Sequence, residues 1–173
     1  MADKQTGTPS PPAGPAPGEP APAFTLTAAL PGGGEETVSL ESLAGRWTVL
    51  YAYPKDQTSG CTTEAQEFTA LADRFEALGA RVLGVSRDSL KAHHAFIAKK
   101  DLGVALLSDP STETLRALGS WGLKTQCGKT CEGTIRSTLL VGPDLKVAAR
   151  WAKAASKGHA AQVLEKLEEL VRG

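Results

Sequence analysis

A chain of 173 residues with 41% apolar content has material for one substantial core, and its length favours one domain over two. Lysine plus arginine and aspartate plus glutamate stand at 19 each, so no net field recommends nucleic acid or an anionic membrane as partner. No apolar run nears the ~20 residues of a membrane span, residues 1–10 lack the apolar core of a secretory signal, and three cysteines argue against a static disulfide framework. The expected address is the cytoplasm, and redox or metal chemistry gains weight.

Residues 1–20 hold six of the 11 prolines among Ala, Gly, Ser and Thr, a composition that buries little and favours a disordered arm outside the fold. Order is expected over residues 21–173. Ala23 to Leu26 and Thr37 to Leu40 read as short strands joined through Pro31-Gly32-Gly33-Gly34. Without a following Lys-Ser/Thr or a helix pattern, that glycine run reads as a hairpin turn and not as a phosphate cradle. Trp47 to Tyr53 is a β-branched and aromatic strand closed by Pro54. Ala65, Phe68, Leu71, Ala72, Phe75 and Leu78 then recur at helical spacing up to Gly79. Ala80 to Ser86 is a buried strand, Asp88 or Ser89 caps a helix to Lys100, Val104 to Ser108 is a strand, and Thr112 to Leu118 a short helix. Ile135 to Val141 and Lys146 to Trp151 form a hairpin about Gly142-Pro143-Asp144, and a last helix spans about residues 156–171. Alternating strands and helices predict an α/β domain with a mixed central sheet flanked by helices, closer to the thioredoxin-like arrangement than to a nucleotide-binding one.

The stretch from Tyr53 to Glu64 carries the chemistry. A strand ends, a turn follows, and Cys61 falls at the mouth of a helix, where unpaired amides and the helix dipole favour a thiolate over a thiol. Only the thiolate attacks. Thr58 sets a hydroxyl in the same loop, Pro54 stiffens it, and Arg136 places a permanent cation at the head of an apolar strand. The alternative is a small apolar filler at position 61.

Pro54-x-x-x-Thr58-x-x-Cys61 resembles the active-site signature of the peroxiredoxins, thiol peroxidases of thioredoxin-like fold. Tyr53-Pro54-Lys55-Asp56, Gly60 to Ala65, Arg136-Ser137-Thr138, Val141 to Asp144 and Gly158-His159 are similar to the Q-type, or bacterioferritin-comigratory, branch. The resemblance runs from about residue 18 to residue 171. It implies a site of Pro54, Thr58, Cys61 and Arg136, with Glu64 orienting an arginine. The implied reaction is attack by Cys61 on hydrogen peroxide or an alkyl hydroperoxide, leaving a sulfenic acid. Neither a metal nor a bound cofactor is implied. Thioredoxin or a similar thiol would recycle the enzyme, and a monomer is expected. A peroxide sensor or redox relay, passing oxidation from Cys61 to a protein partner, is the competing function.

Many Q-type members carry a resolving cysteine five residues after the first, where this chain has Gln66. The substitutes are Cys131 and Cys127, in a loop leading to the Arg136 strand, with Cys131 at most about 16 Å of extended chain from Arg136. One of them may resolve alone in this reading, both may relay oxidation to a Cys127–Cys131 disulfide, an external thiol may do it, or both may be structural. A disulfide to Cys61 requires Cα atoms within ~7 Å, so the helix turn or the loop would have to move. A zinc site from Cys127 and Cys131 with His93, His94 or His159 lacks a second close ligand pair. His93 and His94 sit mid-helix, and at most one can face the core.

Overall fold

The computed structural model describes residues 12–126 and 128–173. Nine strands are described: β1 Thr25–Ala29, β2 Glu35–Ser39, β3 Trp47–Ala52, β4 Ala80–Ser86, β5 Ala105–Ser108, β6 Trp121–Gln126, β7 Lys129–Thr134, β8 Ser137–Val141 and β9 Val147–Trp151. The helices are α1 Ser59–Ala70, α2 Ala72–Ala77, α3 Leu90–Lys100, α4 Glu113–Ala117 and α5 His159–Arg172, with a 3-10 turn at Glu41–Leu43. Seven strands form one mixed sheet in the order β2-β1-β5-β4-β3-β8-β9, and β6 and β7 pair separately. The central β3, β4 and β5 run parallel, while β8 and β1 flank them antiparallel.

The parallel strands read as unbroken apolar runs because both sheet faces are covered. Val49, Tyr51, Val82 and Leu140 point to one face and pack with Phe68 of α1, Phe75 of α2, Phe96 of α3 and Val163 of α5. Their neighbours Leu50, Leu83, Val85, Leu139 and Val141 point to the other, against Leu115 of α4, Leu43 and Phe24. The strand period of two therefore sorts the residues into two cores, giving three layers and the thioredoxin-like fold expected from the sequence.

Three local features differ from the sequence reading. The helix expected to run on to Gly79 breaks at Leu71 (φ −100°, ψ 3°) between α1 and α2. Just before the break, the Thr69 hydroxyl donates back to the Ala65 carbonyl and accepts from the Gly103 amide, a side-chain bond that bends helices. The segment holding Cys131 is a hairpin, not a loop. Residues 12–20, assigned above to an arm outside the fold, line the edge strand β9. There Gly18 N–H donates to the Val147 carbonyl, Val147 N–H donates to the Glu19 carbonyl, and Arg150 donates to the Pro12 carbonyl. Composition gauges side-chain burial, whereas these contacts satisfy backbone groups on a sheet edge.

One close approach locks β4 beneath α1. Tyr51 pairs with Gly84 across β3 and β4, and its ring stacks on Phe68 at 4.6 Å. A Cβ on Gly84 would lie 2.8 Å from both the Tyr51 ring and the Leu106 side chain. Gly84→Ala is expected to cost about 1–3 kcal/mol by overpacking, read as a lower urea midpoint at unchanged slope.

Candidate active site

β3 ends at Ala52, and the chain turns through Pro54 into α1, whose third residue is Cys61. Thr58 takes the N-cap position, but its hydroxyl donates to the Lys55 carbonyl at 2.8 Å and does not cap the helix. The first amides of α1 have no intrahelical acceptor, and Cys61 lies in that first turn. Cys61 is only 2% exposed, so its sulfur meets solvent through a narrow window.

Arg136 arrives from the other end of the sequence. The antiparallel register of β3 with β8 pairs Ala52 with Ser137, which sets Arg136, one residue before β8, beside the point where β3 gives way to Pro54. Its Nη2 donates to Cys61 Sγ at 3.2 Å and its Nη1 to Glu64 Oε1 at 2.5 Å. Gly60 makes room for this approach, since a Cβ there would stand 3.2 Å from the same Nη2. Pro54, Thr58, Cys61 and Arg136 thus line one cleft, of about 830 Å³, and Glu64 lies fully buried behind them.

Burial pushes the Glu64 carboxyl up to about 7, against the pull of the Arg136 guanidinium in the opposite direction. Arg136 itself is held above its ordinary value: burial works against its charge, and the Glu64 carboxylate and the Cys61 sulfur outweigh that. Both directions follow from one buried pair: the cation keeps its charge, and desolvation costs the carboxylate more than the single guanidinium contact returns.

The opposite wall of the cleft is the β6–β7 hairpin, including Trp121, Lys124, Cys131 and Glu132. Cys131 is exposed and pairs in register with Lys124. The guanidinium groups of Arg87 and Arg116 lie over the Trp121 ring, 5.7 and 5.1 Å from its centroid, and the Trp121 Nε1 donates to Glu132. Cys127 lies outside the described residues. The histidines weighed as zinc ligands sit apart: His93 bonds to Asp56, His94 to Glu35, and His159 to Thr138, with burial lowering the His159 value. Among the described residues, no group of three His, Cys, Asp or Glu side chains could hold a metal ion.

Sequence reasoning left out the wall formed by the hairpin, gave Asp56 no role beyond its place in the motif, and weighed His93 only as a packing residue or zinc ligand. The latter had a signal: His93 stands three residues from both Leu90 and Phe96, on the apolar stripe of α3.

Residues 17–150 match the AhpC/TSA family. The peroxiredoxin Bcp of Xanthomonas campestris pv. campestris is 44% identical over 149 residues, 86% of this chain and 92% of its own. That of Bacillus subtilis is 39% identical over 141 residues, 82% and 90% of the two chains. A solved structure of Xanthomonas campestris peroxiredoxin Q superposes with a TM-score of 0.77 at 41% identity, over 86% of this chain and 91% of the other. The fold and the comparisons define the class of enzyme as a thiol peroxidase of thioredoxin-like fold. The chain belongs to the AhpC/TSA family, in its Bcp or Q-type peroxiredoxin branch. Its substrate is a peroxide and its reductant a thiol. No described helix is long and apolar enough to cross a membrane.

The Glu64 shift has a consequence for stability. Its folded value of about 7 lies above the ordinary 4.5, so the folded protein holds the extra proton between the two. The group's contribution to stability is then fully present below the lower value and is lost as pH rises through the upper one. Glu64→Gln is expected to remove this segment of the profile. The stability difference between parent and variant, from urea unfolding on each side of the window, should fall with rising pH.

Proposed function

We propose that Cys61 is the peroxidatic nucleophile, that Arg136, Thr58 and Pro54 form its pocket, and that Cys131 resolves the oxidised form. The observation that carries this reading is the 3.2 Å contact from Arg136 Nη2 to Cys61 Sγ at the floor of a cleft that also holds Cys131. The Cys61 thiolate attacks the distal oxygen of the hydroperoxide, the S–O bond forms as the O–O bond breaks, and the departing alkoxide or hydroxide takes up a proton. Sulfur loses two electrons and the peroxide gains them. Arg136 donates to the oxygen on which charge develops. The Thr58 hydroxyl, committed as donor to the Lys55 carbonyl, presents its lone pairs to the peroxide O–H. The Cys131 thiolate then attacks the sulfenic sulfur, the S–S bond forms as the S–O bond breaks, and the departing hydroxide takes up a proton to leave as water; a dithiol such as thioredoxin reduces the disulfide.

Cys131 is put forward as the resolving thiol because it lines the cleft and is exposed to an incoming reductant. The alkyl peroxide reduction activity named for the Xanthomonas campestris bacterioferritin comigratory protein supports alkyl hydroperoxides, beside hydrogen peroxide, as substrates here. A cytoplasmic monomer that binds neither nucleic acid nor membrane completes the reading. The exposure of Cys131 also gives a relay to a protein partner a route, separated from catalysis by whether turnover is sustained with thioredoxin and its reductase.

The test oxidises the reduced protein with one equivalent of hydrogen peroxide and maps its thiols by mass spectrometry, beside Cys131→Ser and Cys127→Ser. The expected product is a Cys61–Cys131 disulfide in the parent and in Cys127→Ser, with sulfenic acid accumulating on Cys61 in Cys131→Ser. A disulfide surviving in Cys131→Ser would transfer the resolving role to Cys127. An unreactive Cys61 would overturn the assignment altogether.

A further inference from the structure

The loop from Pro54 to Thr58 carries the pocket, yet its backbone is not relaxed. Gln57 sits at φ 63°, in the left-handed region that a residue with a side chain enters at a cost. A loop held this way needs an external restraint, and the structure contains one on the side away from the peroxide.

Asp56, 7% exposed, uses both carboxylate oxygens and its amide. The Tyr53 hydroxyl donates to Oδ1 at 2.6 Å, His93 Nδ1 lies 2.7 Å from Oδ2, and the Asp56 amide donates to Asp88 Oδ2 at 3.0 Å. His93, fully buried on α3, has its Nε2 3.0 Å from the Leu107 carbonyl of β5. A carbonyl can only accept, so Nε2 carries a proton, and the carboxylate facing Nδ1 requires a second proton between those two atoms. The ring is therefore hydrogen-bonded in two directions. Its rigid plane ties the active loop to β5, the strand two places away from β3 in the sheet. Neither Asp56 nor His93 lines the cleft.

We propose that His93 is a positioning residue for the peroxidase reaction: through Asp56 it clamps the Pro54–Thr58 loop and so sets the Thr58 hydroxyl against Cys61 and Arg136. The inference rests on the peroxidase reading above and deepens it. Thr58 lies two residues from the clamped aspartate, and its own hydroxyl bonds back to Lys55, the residue before Asp56. The loop is thereby gripped on both sides of its left-handed residue. Loss of the grip would leave the thiol in place on α1, where Arg136 still holds it, while the group that orients the peroxide drifts. A displacement of about 1 Å in such a group costs up to ~100-fold in rate.

Two conservative variants separate positioning from packing. His93→Asn reproduces the Nδ1 donor toward Asp56 and forfeits the bond to Leu107, whereas His93→Gln reproduces the Nε2 donor toward Leu107 and forfeits the bond to Asp56. The readouts are the second-order rate of Cys61 with hydrogen peroxide by stopped flow and the rate of Cys61 alkylation by iodoacetamide, which needs the thiolate but not the loop. For His93→Gln the peroxide rate is expected to fall ~10-fold or more with alkylation within ~threefold of the parent, and for His93→Asn both should stay within ~threefold. Equal peroxide rates in the two variants, or a larger loss in His93→Asn, would overturn the proposal. Should neither variant fold, Tyr53→Phe removes a single hydroxyl from the same carboxylate. A loss of ~threefold or more in peroxide rate with alkylation preserved supports the clamp, and an unchanged rate overturns it. A parent Cys61 inert to peroxide would instead defeat the peroxidase reading, so the two failures are distinguishable.

Discussion

One guanidinium sits where the two ends of the structure meet. Arg136 is largely buried, its side chain 17% exposed, and it faces two groups that can carry negative charge, Glu64 behind and Cys61 in front. A cation taken out of water is tolerable only when paired, and breaking such a pair from one side leaves an uncompensated charge in the core. One unit of positive charge can balance one buried anion at full strength. Burial holds the Glu64 carboxyl up to about 7 even against this cation. Glu64 Oε2 has no hydrogen-bond partner among the described residues, which is consistent with a carboxyl whose charge is incompletely compensated. The carboxylate behind the arginine bonds to Nη1 and so restricts the direction of the guanidinium.

The fold makes this meeting obligatory. Cys61 belongs to the helix after β3, and Arg136 precedes β8, 75 residues later. They come together because β8 returns antiparallel beside β3 in a register that aligns Ser137 with Ala52. A slip of one residue would exchange the faces of every side chain on β8, sending Leu140 out of one core and Leu139 and Val141 out of the other. The register that the cores enforce is thus the register that the chemistry needs. The helix dipole adds to the same end, since α1 presents its amides where the guanidinium presents its charge.

What the sequence disclosed follows from how each element is stabilised. Strands β3, β4 and β8 are buried on both faces and announce themselves as apolar runs, and α5 shows a single stripe through Val163, Leu164 and Leu167. The loop holding Pro54, Thr58 and Cys61 was legible because a strand, a proline and a helix start bracket it. The β6–β7 hairpin was not. Most of β7 is exposed, and Lys124, Lys129 and Glu132 interrupt any apolar alternation. Its order comes from internal pairing and from the Arg87 and Arg116 guanidinium groups over the Trp121 ring, contacts that no apolar pattern announces. The break at Leu71 was equally hidden, because the apolar spacing continues across it while the cause lies in a threonine hydroxyl and an amide from residue 103.

The placement of the second thiol changes the mechanical demand on the site. A cysteine five residues after Cys61, at the position of Gln66, would sit about 7.5 Å further along an α-helix and about 140° around it. Bringing two such sulfurs together requires the helix to unwind, with loss of its own hydrogen bonds and of the contacts made by Ala65 and Phe68. In this chain Gln66 faces solvent, and Cys131 lines the cleft from the hairpin. A hairpin keeps its pairing when it tilts as a unit, since its strands bond to each other and not to the main sheet. Closing the Cys61–Cys131 distance in this way would leave α1, and with it Glu64 and the arginine pair, undisturbed through the oxidised state. The charged centre could then be kept intact across the cycle, with the motion assigned to an element that contributes little to the core.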